Sequence, residues 1–216
     1  MALLFDFIRH EYFLDGVQVP SVTGILHASG LIDLSAIPPF ILERARNRGS
    51  AVHQLVHYYN ESDLDWGSVD QAFQGYLDAW QDFRRQTALR PLLCERRIAS
   101  RRHRVAGTLD LLAAIGGDGW LIDYKTGDPD DVAADFQTGA YLSLALEWAP
   151  EDPSLAAALA LFPRWRRAAV RLRKDGTFQV TEYTDARDYA RFHTLTAAWH
   201  IRNERGAIVR PDDIAA

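Results

Sequence analysis

The sequence predicts an α/β (α+β) fold in which a central mixed sheet is flanked by helices. Three observations carry that expectation: apolar positions at helical spacing before Pro91, short apolar runs separated by turn residues after it, and a return of helical spacing between Asp131 and Trp148. The length of 216 residues and a 48% apolar composition suit one sizeable core. A single domain is expected over 1–216, with an N-terminal hairpin and helices over 1–90, a sheet with a crossover helix over 91–183, and a closing helix over 184–216.

In order along the chain, EYFLDGVQV holds a turn signal at Asp15-Gly16 between two short β-type runs, so a small hairpin is expected before Pro20. Ser35 or the Pro38-Pro39 pair then opens a helix whose inward positions are Leu42, Ala45, Gly49, Val52, Val56 and Tyr59. A second helix is expected from about Ser68 to Thr87, with Val69, Phe73, Tyr76, Trp80 and Phe83 on one face. The runs LLCERRIA, RVAGTLDLLAAI and GWLIDYKT read as three consecutive strands of a meander. After the helix that ends near Trp148, SLAAALALF and AAVRLR read as strand-like, although alanine and leucine favour helix in the first of them. FQVTEY follows across a Lys174-Asp175-Gly176 turn, and a last helix runs from about Asp185 to Glu204.

The bulk composition excludes some classes. A net charge of −5 gives no global attraction to nucleic acid, so such a partner has to be held by local patches. One cysteine, Cys94, excludes a disulfide framework or a four-cysteine cluster within one chain and fits a reducing, cytoplasmic setting. The stretch from Tyr141 to Phe162 is broken by Glu147, Glu151, Asp152 and two prolines, too polar for a membrane span. The start, MALLFDFIRH, lacks a basic leader segment and is expected to belong to the fold.

The chemistry concentrates in GTLDLLAAIGGDGWLIDYKTG, where Asp110, Asp123 and Lys125 interrupt two apolar strands. With a two-residue loop centred on Gly117-Asp118, Asp110 lies opposite Lys125, and Asp123 shares their face by strand alternation. Tyr124 then points to the other face. A structural ion pair is the ordinary reading of one Asp and one Lys, but here two carboxylates share one lysine, and burial of the second charge is costly. A divalent cation with oxygen ligands, Mg²⁺ or Mn²⁺, resolves that imbalance.

This pattern, G-T-L-Asp110 and then Asp123-Tyr-Lys125 on the next strand, resembles the PD-(D/E)XK nuclease superfamily, with Asp123 in the slot more often filled by Glu. Further segments resemble its RecB-like, phage-type exonuclease branch: RGSAVH ending at His53 on an upstream helix, Gln137-x-x-x-Tyr141 on the helix after the DxK strand, VPSVTGIL near the N-terminus, and Glu95 on the strand before Asp110. The resemblance implies a restriction-endonuclease-like sheet and a metal-dependent DNA nuclease. Asp110, Asp123, the Tyr124 carbonyl and His53 would hold Mg²⁺ or Mn²⁺, Lys125 would act in catalysis, and Gln137 and Tyr141 would position the strand or the lysine. Glu95 would support the metal site. It also implies an exonuclease of recombination, repair or phage DNA processing, acting on single-stranded DNA or duplex ends, with a recombination or annealing protein as the partner class. A site-specific or structure-specific endonuclease would use the same residues, and a non-catalytic DNA-binding subunit is the alternative of another class.

Other residues have plainer readings. His53 and His57 stand at i and i+4 in HQLVH, but Gln54 replaces the Glu that a metalloprotease helix needs, so His57 is read as structural or as a surface group. Arg96, Arg97, Arg101, Arg102 and Arg104 precede the Asp110 strand and are candidate DNA-backbone contacts, as are Arg164, Arg166, Arg167, Arg171 and Arg173 later in the chain. The six tryptophans are too scattered for a base-stacking platform, and most are expected in the core.

Overall fold

The computed structural model describes residues 2–32, 34–127 and 133–204. At the N-terminus, β1 (Leu3–Asp6), β2 (Glu11–Leu14) and β3 (Val17–Val19) form an antiparallel sheet in that order. The expected hairpin is β2–β3; Asp15 and Gly16 both take positive φ, the requirement of a two-residue turn matched to strand twist. β1 was not foreseen as a strand. Nor was the short α1 (Val22–Ala28), which Ser21 caps by accepting the Gly24 N–H at 2.9 Å.

The two long N-terminal helices are α2 (Pro39–Asn60), entered through the proline pair, and α3 (Gln71–Thr87), capped by Asp70. Their inward residues Val52, Val56, Tyr76, Trp80 and Phe83 pack on one side of the main sheet. Gly75 lets α3 approach a later turn closely, since a Cβ there would stand 1.8 Å from the Lys174 carbonyl oxygen.

The main sheet has the order β4 (Arg90–Ser100), β5 (Val105–Ile115), β6 (Asp118–Lys125), β7 (Trp165–Leu172), β8 (Phe178–Tyr183). All neighbours are antiparallel except β6 and β7, which need a crossover. That crossover contains α4 (Ala134–Trp148) and α5 (Pro153–Leu159), and α6 (Asp188–Asn203) packs against α4. Leu111, Ile122 and Tyr124 join the cluster under α2 and α3, whereas Leu112 and Leu121 join the one under α4. The sheet therefore separates two hydrophobic clusters, and α4 is buried along most of its length.

Two expectations are corrected here. The run SLAAALALF is not a strand: Asp152 accepts the Ser154 and Leu155 N–H groups at 3.1 Å and Pro153 occupies the first turn, so a helix starts there. The β5–β6 register also differs. Ile115 pairs with Asp118 and Leu111 with Ile122, and the turn is Gly116-Gly117, both at positive φ, one residue earlier than expected. Continued one step, that register sets Asp110 beside Asp123 rather than Lys125. Because the slip is an even number of residues, no side chain changes face.

Candidate active site

Three strands and two helices bring the predicted residues together. On β4, Cys94 pairs with Leu111 and Arg96 with Leu109, leaving Glu95 between them at φ 45°. A non-glycine residue in the left-handed region costs of order 1–3 kcal/mol and persists where the surroundings enforce it. Here the enforced residue faces the Asp110 carboxylate through the imidazole of His53, which α2 delivers from the side.

His53 organises one half of the site. Its Nε2 donates to the Tyr124 carbonyl at 3.1 Å, which leaves Nδ1 facing Asp110 Oδ1 at 3.5 Å and Glu95 Oε1 at 3.6 Å. Asp110 is fixed from its other oxygen, since Oδ2 accepts the Tyr124 N–H at 2.7 Å. The Tyr124 peptide thus holds both first members, one by its N–H and one by its carbonyl. The Tyr124 side chain points away, as expected, and its hydroxyl accepts from Asn60 at 3.2 Å.

Lys125 organises the other half. Its ammonium lies 2.8 Å from Asp123 Oδ2 and donates to Gln137 Oε1 at 2.7 Å. Gln137 Nε2 in turn donates to the Tyr141 hydroxyl at 3.1 Å, an i to i+4 contact along α4. Burial, then the Asp123 and Asp110 charges, push the Tyr141 phenol well above its usual range, so it stays protonated and keeps a proton to donate. A small cavity of about 170 Å³ lies beside Tyr141, lined also by Tyr12, His10, Ser21 and Thr23, and Tyr12 bonds Thr108 at 2.8 Å.

The electrostatics are unbalanced. Asp110 and Asp123 are buried, Glu95 is half-buried, and the cationic partners are one lysine and one histidine. Burial, with Asp123 and Glu95 nearby, raises the Asp110 carboxyl to about 8 against the opposing His53 charge and the Tyr124 N–H bond. His53 is held up to about 9: burial works against its charged form, and the Asp110 and Glu95 carboxylates outweigh it.

The donor set fits a divalent cation. His53, Glu95 and Asp110 offer ligand atoms within 4.8 Å of one another. Glu95 Oε1 and Asp123 Oδ2 are buried without a hydrogen bond, the second touching Lys125 only as an ion pair, and such atoms need a partner. Carboxylate oxygens with one imidazole are donors that a divalent cation takes.

The candidate DNA contacts fare differently from one another. Arg96 bonds Asp152, Arg101 pairs with Asp15 and Glu151, and Arg104 with Glu204, so these three serve intramolecular pairs. Arg102 is exposed, its backbone N–H bound to Glu147. Arg97 is exposed and lies over the Phe5 and Phe7 rings, opposite Thr108 on β5. Arg167 is corrected outright: it is buried and binds Asp188 and the Asp135 and Asp185 carbonyls, tying α4 to α6. Trp80 and Trp148 are core residues, whereas Trp66 is exposed. Sequence reasoning missed the strain at Glu95 and the anchoring role of Asn60, neither of which has a local sequence signal.

A match to the PD-(D/E)XK nuclease superfamily extends over residues 65–207, about two thirds of the chain. The chain belongs to the PD-(D/E)XK nuclease superfamily. Its five-stranded mixed sheet with flanking helices agrees with the restriction-endonuclease-like fold. Members of this superfamily are generally nucleases that use divalent metal ions, with DNA as substrate. The matched stretch includes Glu95, Asp110, Asp123, Lys125, Gln137 and Tyr141; His53 lies outside it and joins the site through geometry alone. Comparison with curated proteins gives no match. Among the described residues, no helix is long and apolar enough to cross a membrane.

Proposed function

We propose that this PD-(D/E)XK protein is a Mg²⁺- or Mn²⁺-dependent deoxyribonuclease of the RecB-like branch, acting as an exonuclease in recombination, repair or phage DNA processing. The observation that carries the reading is the convergence of His53, Glu95 and Asp110 ligand atoms within 4.8 Å, with the Asp123 charge acting on Asp110 and a lysine fixed by Asp123 and Gln137.

Asp110, Asp123 and His53 Nδ1 would hold the cation, with Glu95 in support and the Tyr124 carbonyl shared with His53. When bound, the cation supplies Lewis acidity at the scissile phosphate and lowers the pKa of a water. Lys125 donates toward the phosphoryl oxygen on which charge builds, and its position is set before substrate arrives, so little reorganisation is needed in the transition state. Gln137 positions Lys125 by accepting from its ammonium, and Tyr141 orients the Gln137 amide. Arg97 and Arg102, both exposed, are the proposed backbone contacts.

Purified protein should degrade linear end-labelled DNA, single-stranded or duplex, with Mg²⁺ or Mn²⁺ and not with EDTA, and should leave covalently closed circles intact. Nicking of closed circles at the same rate would replace the exonuclease reading by an endonuclease one. No cleavage of any DNA with either cation would overturn the proposal.

A further inference from the structure

Next to Glu95 on β4, a second group of donors meets the end of α2. His57 and Glu61 stand one helical turn apart, and Cys94, the chain's one cysteine, approaches them from the strand. We propose that His57, Glu61 and Cys94 form a second metal site that takes Zn²⁺ through an imidazole nitrogen, a carboxylate oxygen and a thiolate.

The ligand atoms of the three residues all lie within 4.8 Å of one another. Bond lengths of about 2.0 Å to nitrogen and 2.3 Å to sulfur set tetrahedral ligands about 3.5 Å apart, a gap that small side-chain rotations close. A separate observation points the same way: His57 Nδ1 is buried and makes no hydrogen bond. Such a nitrogen has a lone pair or proton open to a water or an ion. The surroundings are also held in place. Asn60, between His57 and Glu61, bonds the Tyr124 hydroxyl, the Trp80 indole N–H and Arg84, and the Glu61 N–H closes on the His57 carbonyl at 3.0 Å. Asn60 also hydrogen-bonds the Cys94 thiol, so the same network holds one of the three donors.

The chemistry differs from that of the Asp110 site. A thiolate and an imidazole select Zn²⁺ and its softer neighbours over Mg²⁺, whose ligands are oxygens. The thiol gives its proton to solvent as the sulfur–metal bond forms, so uptake releases protons. The inference is independent of the nuclease reading, though one helical turn links His57 to His53 and one residue links Cys94 to Glu95. Zinc here would pin the end of α2 to β4.

The test uses the full chain with Mg²⁺ in excess to fill the oxygen-rich site, and Co²⁺ as a coloured substitute for Zn²⁺. The wild type should develop a near-ultraviolet thiolate-to-Co²⁺ absorption that one equivalent of Zn²⁺ abolishes. Asp110→Asn should keep it, and His57→Gln and Glu61→Gln should each weaken Co²⁺ binding at least tenfold. Glu61 is exposed, so Glu61→Gln keeps the fold, and circular dichroism checks each variant. No absorption in the wild type, or unchanged affinity in both His57→Gln and Glu61→Gln, overturns the site.

Discussion

Asparagine at position 110 keeps the size of the aspartate and an acceptor for the Tyr124 N–H, and removes only the charge. In the cation-free protein that charge is unfavourable. Burial is the largest cause of the raised Asp110 pKa, ahead of the opposing attraction of His53, and Asp123 and Glu95 add to it. Two like unit charges 4 Å apart repel by about 4 kcal/mol at an effective dielectric of 20, and His53 offsets part of this. Asp110→Asn should therefore stabilise the cation-free protein by about 1–3 kcal/mol near pH 8, a rise of roughly 3–10 °C in Tm for a chain of this length. The pH dependence follows from linkage. The folded carboxyl binds its proton more tightly than the unfolded one, so the wild type is penalised increasingly as pH rises from its ordinary value of 3.8 toward about 8. The gain from asparagine should thus be small near pH 4 and largest above pH 8. Saturating Mn²⁺ should narrow or reverse the difference, because a ligand at 100 times its Kd stabilises the wild type by about 2.7 kcal/mol and the variant binds it poorly. Thermal unfolding in EDTA at pH 5 and pH 8 is the assay. A variant that melts below the wild type in EDTA at pH 8 would show that the His53 pair outweighs burial and would refute this reasoning.

Three further outcomes are expected. Gln137→Ala should slow single-turnover cleavage by about 10²-fold, as misplacement of a positioned group does, while cation affinity measured by calorimetry stays within twofold; equal loss of both would assign Gln137 a structural role. His193 is pushed down to about 4 by burial and by the stacked His103 ring, so the fold holds it neutral. Its contribution is whole above the unfolded value of about 6.5 and lost as pH falls through about 4, and His193→Gln should flatten the fall in Tm across that window. Gly75→Ala should cost about 1–3 kcal/mol in urea unfolding, the range for overpacking, because the new methyl meets the Lys174 carbonyl; wild-type stability would show that α3 can shift.

The site was legible where chemistry follows local spacing. Asp123 and Lys125 share a face because strand side chains alternate, and Gln137 and Tyr141 share one because they are four residues apart in a helix; the structure brings both pairs together. Register was not legible in the same way. Gly116-Gly117 and Gly117-Asp118 both suit a two-residue turn, and only the positive φ values at the two glycines decide between them. Alternation survives an even slip, which is why the face was right while the partner was wrong. The helix α5 was readable from Asp152-Pro153, a cap followed by a proline, but its alanine-leucine run obscured that signal. Arg167 could not be placed from its neighbours, since its carboxylate partner Asp188 comes from α6 and only folding brings the two together. The positive φ at Glu95 likewise has no signal in the residues beside it.

The central claim is that Asp110, Asp123 and Lys125 together make a cation-dependent phosphodiesterase centre. The most direct measurement is single-turnover cleavage of end-labelled linear DNA by the wild type, Asp123→Asn and Lys125→Gln, each with Mn²⁺ and with EDTA. The account predicts cation-dependent cleavage by the wild type and a loss of at least about 10² in rate in each variant, the scale of removing one transition-state donor, with Lys125→Gln still binding Mn²⁺. Cleavage at the wild-type rate by both variants, or cleavage that EDTA leaves untouched, would contradict it.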